Sequence, residues 1–123
     1  MQTFGFKIKI RNSEARERYV NYHRSVWPEV HDALDVIGVH SVQIFLLEDD
    51  TLFMHMETSD EFSPFRSFSN AMTQHPLVQQ WDDIMHKELL VRDPHNSGPT
   101  EWADMEKLYH WEDRPVEIQG ADR

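Results

Sequence analysis

Hydrophobic residues alternate with glycine or lysine over residues 4–10, which is the two-residue period of a strand with one buried face. Over 14–37 the period changes, and apolar residues recur every three or four positions as in an amphipathic helix. Pro28 cannot donate a helical hydrogen bond, so we expect the helix to kink or restart there. Gly38 is a suitable residue to end it.

The middle of the chain predicts a β-hairpin. Segments rich in β-branched and aromatic residues over 39–47 and 51–58 flank a polar turn. The next stretch, 64–90, has a helical pattern that we expect to be interrupted at His75 and Pro76, because proline disfavours helix at the residue before it.

After a loop over 92–99, the last predicted element is a strand over 103–111, with Met105, Leu108 and Trp111 as candidate packing residues. The element order β-α-β-β-α-β is the ferredoxin-like arrangement of an α+β protein with an antiparallel sheet.

The predicted elements form one domain. We assign residues 1–111 to this single ferredoxin-like domain and expect residues 112–123, which are charged and aperiodic, to form a disordered tail. Helices cover only one face of such a sheet, so the other face needs a partner. We therefore expect a homodimer.

Composition narrows the possible partners. The 123-residue chain has a net charge of −10 and no basic cluster, which argues against nucleic acid because phosphate binding depends on lysine and arginine. It has no apolar run of about 18–20 residues and no evident signal peptide, so we expect no membrane partner and a cytoplasmic location. It has no cysteine and no H-x-H or H-E-x-x-H pattern, so we expect no metal.

Tyr19 and His23 are the clearest candidates for chemistry. They are four residues apart on a predicted helix, so both side chains can reach one small ligand. Histidine, with an ordinary pKa of about 6.5, can give and take a proton near neutrality. In the alternative interpretation, both rings only fill a hydrophobic core.

The chain resembles the L-rhamnose mutarotase family in an ordered set of motifs from about Phe4 to Trp111. These are Y-x-x-x-H-x-x-x-W-P-E beginning at Tyr19, a glycine at position 38 followed by the hairpin, and Q-W-x-x-x-M beginning at Gln80. Members of that family are small dimers of ferredoxin-like subunits. They interconvert the α and β anomers of neutral 6-deoxy-L-sugars without a metal or an organic cofactor.

The resemblance implies roles for individual residues. The family's acid/base histidine corresponds to His23, its sugar-binding tyrosine to Tyr19, and the first of two adjacent sugar-contacting tryptophans to Trp81. Two positions depart from the rhamnose enzymes, because their strand tyrosine falls on Val42 and their second tryptophan falls on Asp82. We expect this change to alter the accepted sugar, since sites built around hydroxyl groups reject analogues that leave polar groups unpaired.

The second half of the chain resembles the L-fucose mutarotase branch of the family. The matching segments are H-P-L-V-Q-Q-W beginning at His75 and E-W-x-x-M-E beginning at Glu101. We therefore expect L-fucose to be preferred over L-rhamnose. Trp102 is expected either to line the pocket or to pack in the core, and we include it with Asp82 among the expected substrate-binding residues.

The proton-transfer partner of His23 stays open at this point. Tyr19, Asp82, Glu101 or a water molecule could serve, and nothing in the spacing selects one. A tyrosine, with an ordinary pKa of about 10, would act more easily as a donor than as a base.

Two other functions fit the same predicted architecture. A small monooxygenase of the dimeric α+β barrel type would bind an aromatic substrate or haem, although the chain has no haem-ligand motif. A non-catalytic sugar-binding module would use Tyr19 and His23 for binding without turnover. Faster exchange between sugar anomers would distinguish a mutarotase from both.

Overall fold

The alternating N-terminal segment forms the central strand of the sheet in the computed structural model, which describes residues 1–113. In chain order, the elements are β1 (Gln2–Ile10), α1 (Ser13–His23), α2 (Pro28–Val36), β2 (Val39–Leu47), β3 (Thr51–Thr58), α3 (Pro64–Ala71), α4 (Pro76–Asp83), a π-helical segment (Ile84–Leu89), β4 (Leu90–Val91) and β5 (Ala103–Met105).

All of the strand pairs in the sheet are antiparallel. β1 pairs with β3 on one side and with β4 and then β5 on the other, while β2 pairs with β3. The resulting order is β2-β3-β1-β4, with β5 continuing the same edge as β4. The predicted ferredoxin-like α+β arrangement is therefore confirmed, as are the predicted bounds of the β2–β3 hairpin.

The two faces of the sheet differ because each strand alternates its side chains between them. The face toward the helices carries the largest buried residues, including Phe6, Ile8, Leu52 and Met56. On the opposite face, Phe45 of β2 is 57% exposed although it lies beside Phe53 of β3. The helices thus cover one face only, as the element order predicted.

Local signals explain where the helices begin. The Asn12 side chain accepts a hydrogen bond from the Ala15 backbone N–H at 2.8 Å and caps α1. The other three α-helices begin with a proline in the first turn, where the missing N–H costs no helical bond.

The predicted restart of the helix at Pro28 is confirmed, although the first helix ends several residues before it. α1 stops at His23 and α2 starts at Pro28. Trp27 is extended, with φ −62° and ψ 135°, because a residue that precedes proline disfavours helical backbone. Residues 24–27 therefore form a short connection that places the Trp27 ring 5.1 Å from the Trp81 ring.

The predicted strand over 103–111 is wrong beyond Met105, where β5 ends. Leu108 and Trp111 do not pack against other residues of the described part, 1–113, since they are 87% and 68% exposed. Their spacing of three residues cannot direct them to one face of a strand, which repeats every two. Of the tail predicted over 112–123, residues 114–123 lie outside the described part of the chain. No helix within 1–113 is long and apolar enough to cross a membrane.

Candidate active site

A cavity of about 730 Å³ lies between the helices and the inner face of the sheet. Its lining is mostly apolar, with Ile44, Met54 and Met56 contributed by the strands. Polar and aromatic side chains also line it, among them Tyr19, His23, Asp82, His86, Glu101 and Trp102. An apolar cavity with a few convergent polar groups is the usual form of a small-molecule site.

His23 is the last residue of α1, and its hydrogen bonding defines its protonation pattern. Its Nδ1 lies 2.8 Å from the backbone carbonyl oxygen of Tyr19. A carbonyl oxygen can only accept, so the neutral imidazole carries its proton on Nδ1 and leaves a lone pair on Nε2. Within residues 1–113, Nε2 has no hydrogen-bond partner.

The surroundings of His23 favour its neutral form. Burial lowers the pKa of His23 below its ordinary value, although the bond to the Tyr19 carbonyl opposes this shift. The Trp81 ring meets the imidazole edge-on, with 5.4 Å between ring centroids. The imidazole is therefore a neutral base near pH 7, with one nitrogen available to a ligand in the cavity.

The Tyr19 ring stacks on the His23 ring, with 4.1 Å between centroids and 25° between planes. Tyr19 is 5% exposed, and this burial raises the pKa of its hydroxyl above the ordinary range. The phenol thus stays protonated and can donate a hydrogen bond to a ligand, but it is a poor base.

Trp81 belongs both to the core and to the cavity lining. It is 9% exposed and contacts the Tyr22 and Trp27 rings edge-on, with centroids 5.6 and 5.1 Å away. This aromatic cluster fixes the indole beside His23. The cavity wall therefore presents an aromatic side chain next to the imidazole.

Asp82 and Trp102 are joined through His86, a residue that the sequence analysis did not select. The Asp82 Oδ1 and His86 Nδ1 atoms lie 2.8 Å apart. The Trp102 indole Nε1 donates to His86 Nε2 at 3.1 Å. The spacing of Asp82 and His86 equals that of Tyr19 and His23, and this repeated four-residue interval was the available signal.

All five residues expected at the site, Tyr19, His23, Trp81, Asp82 and Trp102, line this one cavity. Val42, where the rhamnose enzymes' tyrosine is expected, lines it too. Glu101 also reaches the cavity, and one of its carboxylate oxygens lies 3.9 Å from Arg92 Nη1. The part of the chain described here contains no group of three residues suited to hold a metal ion. The roles of these residues in binding and catalysis stay predictions.

Comparison with known proteins supports the expected relationship. The family model described as L-rhamnose mutarotase matches residues 3–111. A UPF0734 protein of Dictyostelium discoideum is 34% identical over 102 residues, which cover 81% of this chain and 81% of that protein. An L-rhamnose mutarotase of Listeria monocytogenes is 30% identical over 96 residues, covering 77% of this chain and 85% of the relative.

A crystal structure of L-rhamnose mutarotase from Formosa agariphila has the same fold. Its TM-score to this chain is 0.66 at 25% identity, and the match covers 91% of this chain and 100% of that one. The family and the ferredoxin-like α+β fold that were expected from the sequence are thereby confirmed.

Proposed function

This chain belongs to the L-rhamnose mutarotase family, and we propose that it interconverts the anomers of a 6-deoxy-L-hexose with His23 as its acid/base catalyst. The observation that carries the proposal is the bonding of His23, whose Nδ1 is held by a backbone carbonyl while Nε2 is left for a ligand. The enzyme is an isomerase, and its reaction opens and recloses the sugar ring, so the bond between C1 and the ring oxygen breaks and re-forms while protons move between oxygens.

Mutarotation requires two proton transfers at the hemiacetal. His23 Nε2 takes the proton of the anomeric hydroxyl as the bond between C1 and the ring oxygen breaks, and a second donor protonates the ring oxygen. After rotation about the C1–C2 bond, the ring oxygen attacks the other face of C1 and both protons return. Positioned acid/base groups of this kind contribute roughly 10²–10⁴-fold to a rate.

Tyr19 is best suited to assist His23 as a hydrogen-bond donor. Its raised pKa keeps the phenol protonated, and its stacked ring places it beside the imidazole. One carboxylate oxygen of Asp82 is hydrogen-bonded to His86, which makes Asp82 less suited to deliver a proton to the sugar. Trp81 would contact the apolar face and the methyl group of a deoxy-sugar.

A test of the activity is exchange NMR of the α and β anomers of L-fucose, L-rhamnose and D-glucose with the purified protein. We expect faster exchange for a 6-deoxy-L-hexose and little change for D-glucose, which lacks the methyl group. Binding of the sugars without faster exchange of any would contradict the mutarotase proposal and would support a non-catalytic sugar-binding module.

We also propose that the enzyme prefers L-fucose to L-rhamnose. Val42 and Asp82, the two positions that depart from the rhamnose enzymes, both lie on the cavity wall. The double variant Val42→Tyr with Asp82→Trp is expected to shift the ratio of kcat/KM values toward L-rhamnose. Asp83→Asn is the matched control, because Asp83 pairs with Lys87 and does not line the cavity. The same ranking of sugars in the double variant would contradict this assignment.

We further propose that two chains assemble through the outer face of the sheet. Phe45 and Leu47 are more than half exposed there, and the segment after β5 exposes Leu108, Tyr109 and Trp111. Monomeric proteins rarely expose apolar patches larger than a few hundred Å². Light scattering is expected to give the mass of a dimer for the wild type and of a monomer for Phe45→Glu. A monomeric wild type would contradict the proposal.

A further inference from the structure

We propose that His86 is a positioning residue, which fixes the Trp102 ring and the loop that carries it as one wall of the substrate cavity. The proposal deepens the proposed function, because it assigns this wall to the site that would hold the sugar. His86, Asp82 and Trp102 all line the cavity.

The hydrogen bonds of His86 leave neither ring nitrogen free for chemistry. An indole N–H can only donate, so His86 Nε2, 3.1 Å from Trp102 Nε1, must be the unprotonated acceptor. The proton of the neutral ring then lies on Nδ1, where it is donated to Asp82 Oδ1 at 2.8 Å. The carboxylate thus selects the one neutral tautomer that can accept from Trp102.

The loop over 92–102 is held together by its own hydrogen bonds. Arg92 donates to the Gly98 and Thr100 carbonyls, and Asn96 donates to the Thr100 carbonyl at 2.8 Å. The Thr100 hydroxyl in turn donates to the Trp102 carbonyl at 2.7 Å. A loop bonded in this way is expected to move as a unit, so its few attachments to the rest of the molecule determine its position.

Both ends of the loop continue into strands that pair with β1, and within residues 1–113 two polar side-chain contacts attach the loop itself to the rest of the molecule. At its base, Asp93 lies 3.2 Å from Lys7 of the central strand. At its far end, Trp102 bonds to His86, and within residues 1–113 this is the only hydrogen bond between the loop and the helices. Without His86, the Trp102 indole keeps its apolar contacts with two core clusters but loses its fixed orientation.

The role predicts a specific kinetic signature for His86→Ala. A loosened wall weakens binding, so KM should rise about two- to tenfold, the range expected for the loss of one hydrogen bond, while kcat changes less. Trp102→Phe removes the N–H and keeps an aromatic ring, so it should show a similar rise. In the double variant, KM should rise no further than in the more strongly affected single variant, because both substitutions break the same hydrogen bond.

A readout that needs no activity is the indole ¹H–¹⁵N signal of Trp102 in the full-length protein, assigned by its disappearance in Trp102→Phe. We expect slow solvent exchange in the wild type, faster exchange with an upfield shift in His86→Ala, and partial recovery in His86→Gln. A glutamine amide can donate to Asp82 and accept from the indole. Lys87→Ala, one residue away and outside the cavity lining, is the matched control and should change nothing.

An unchanged Trp102 indole signal in both His86 variants would overturn the proposal. A loss of kcat in His86→Ala as large as that in His23→Gln would also overturn it, because His86 would then act in proton transfer. If the wild type accelerates exchange of no sugar, the proposed function fails, but the indole signal still tests the link between His86 and Trp102.

Discussion

Two of the imidazoles that line the cavity, those of His23 and His86, each lie four residues after the group that bonds the ring Nδ1. In His23 that group is a backbone carbonyl, and Nε2 has no partner within residues 1–113. In His86 the group is a carboxylate, and Nε2 accepts from Trp102. The same residue type at the same spacing thus has one free nitrogen in the first case and none in the second. The partner of the second nitrogen therefore distinguishes a candidate catalyst from a positioning residue.

The surroundings of the two rings differ as well. His23 contacts the Tyr19 and Trp81 rings and forms no ion pair within residues 1–113, and burial lowers its pKa. His86 lies beside the Asp82 carboxylate, within the π-helical segment Ile84–Leu89 that leads to β4. An apolar setting favours a neutral base, whereas a carboxylate favours a ring held in one orientation.

The largest expected effect comes from His23→Gln. Loss of the base should lower kcat roughly 10²–10⁴-fold, while the fold and sugar binding are retained. Exchange NMR measures the rate, and circular dichroism checks the fold. His86→Gln is the matched control and should lose less than about tenfold, since it keeps donor and acceptor groups. Equal losses in the two variants would remove the distinction between the imidazoles.

The second largest expected effect is the pH dependence of kcat/KM, which should report the protonation of His23. His23 must be neutral to act as a base, and burial lowers its pKa below the usual value of about 6.5. Activity should therefore fall only at pH values below this lowered pKa. Below that pKa, kcat/KM should drop about tenfold per pH unit, because protonation removes the lone pair on Nε2. Tyr19, whose pKa is raised, should cause no loss in the mildly alkaline range. A midpoint above the ordinary histidine pKa would contradict this account of the site.

The sequence predicted that Tyr19 and His23 lie together, but it did not predict the contact between His86 and Trp102. Tyr19 and His23 lie on one helix, so their spacing alone places the two side chains together. The bond between His86 and Trp102 joins residues that are sixteen positions apart, across a strand and a loop. No local pattern contains that contact, because tertiary packing brings the two residues together.

The same distinction holds for the fold. The hairpin strands were predicted at their observed bounds, because alternation and a polar turn are local signals. The predicted strand after residue 105 was wrong, since its length depends on how far β1 accepts a partner at that edge. The π-helical segment over Ile84–Leu89 was not predicted either, because its apolar pattern does not differ from that of an ordinary helix.

The smallest expected effect, from Tyr19→Phe, tests which atom of residue 19 controls His23. The bond to His23 Nδ1 uses the backbone carbonyl, which this substitution keeps, and a phenylalanine ring can still stack on the imidazole. Only the hydroxyl donor is lost, so kcat/KM should fall about two- to tenfold, and the acidic limb of the pH profile should not move. Asp82→Ala is the informative counterpart, because there the lost side chain is itself the partner of His86 and the Trp102 indole signal should shift. If Tyr19→Phe instead moves the acidic limb, the hydroxyl also controls the protonation of His23, and the two imidazoles would differ less than their hydrogen bonds indicate.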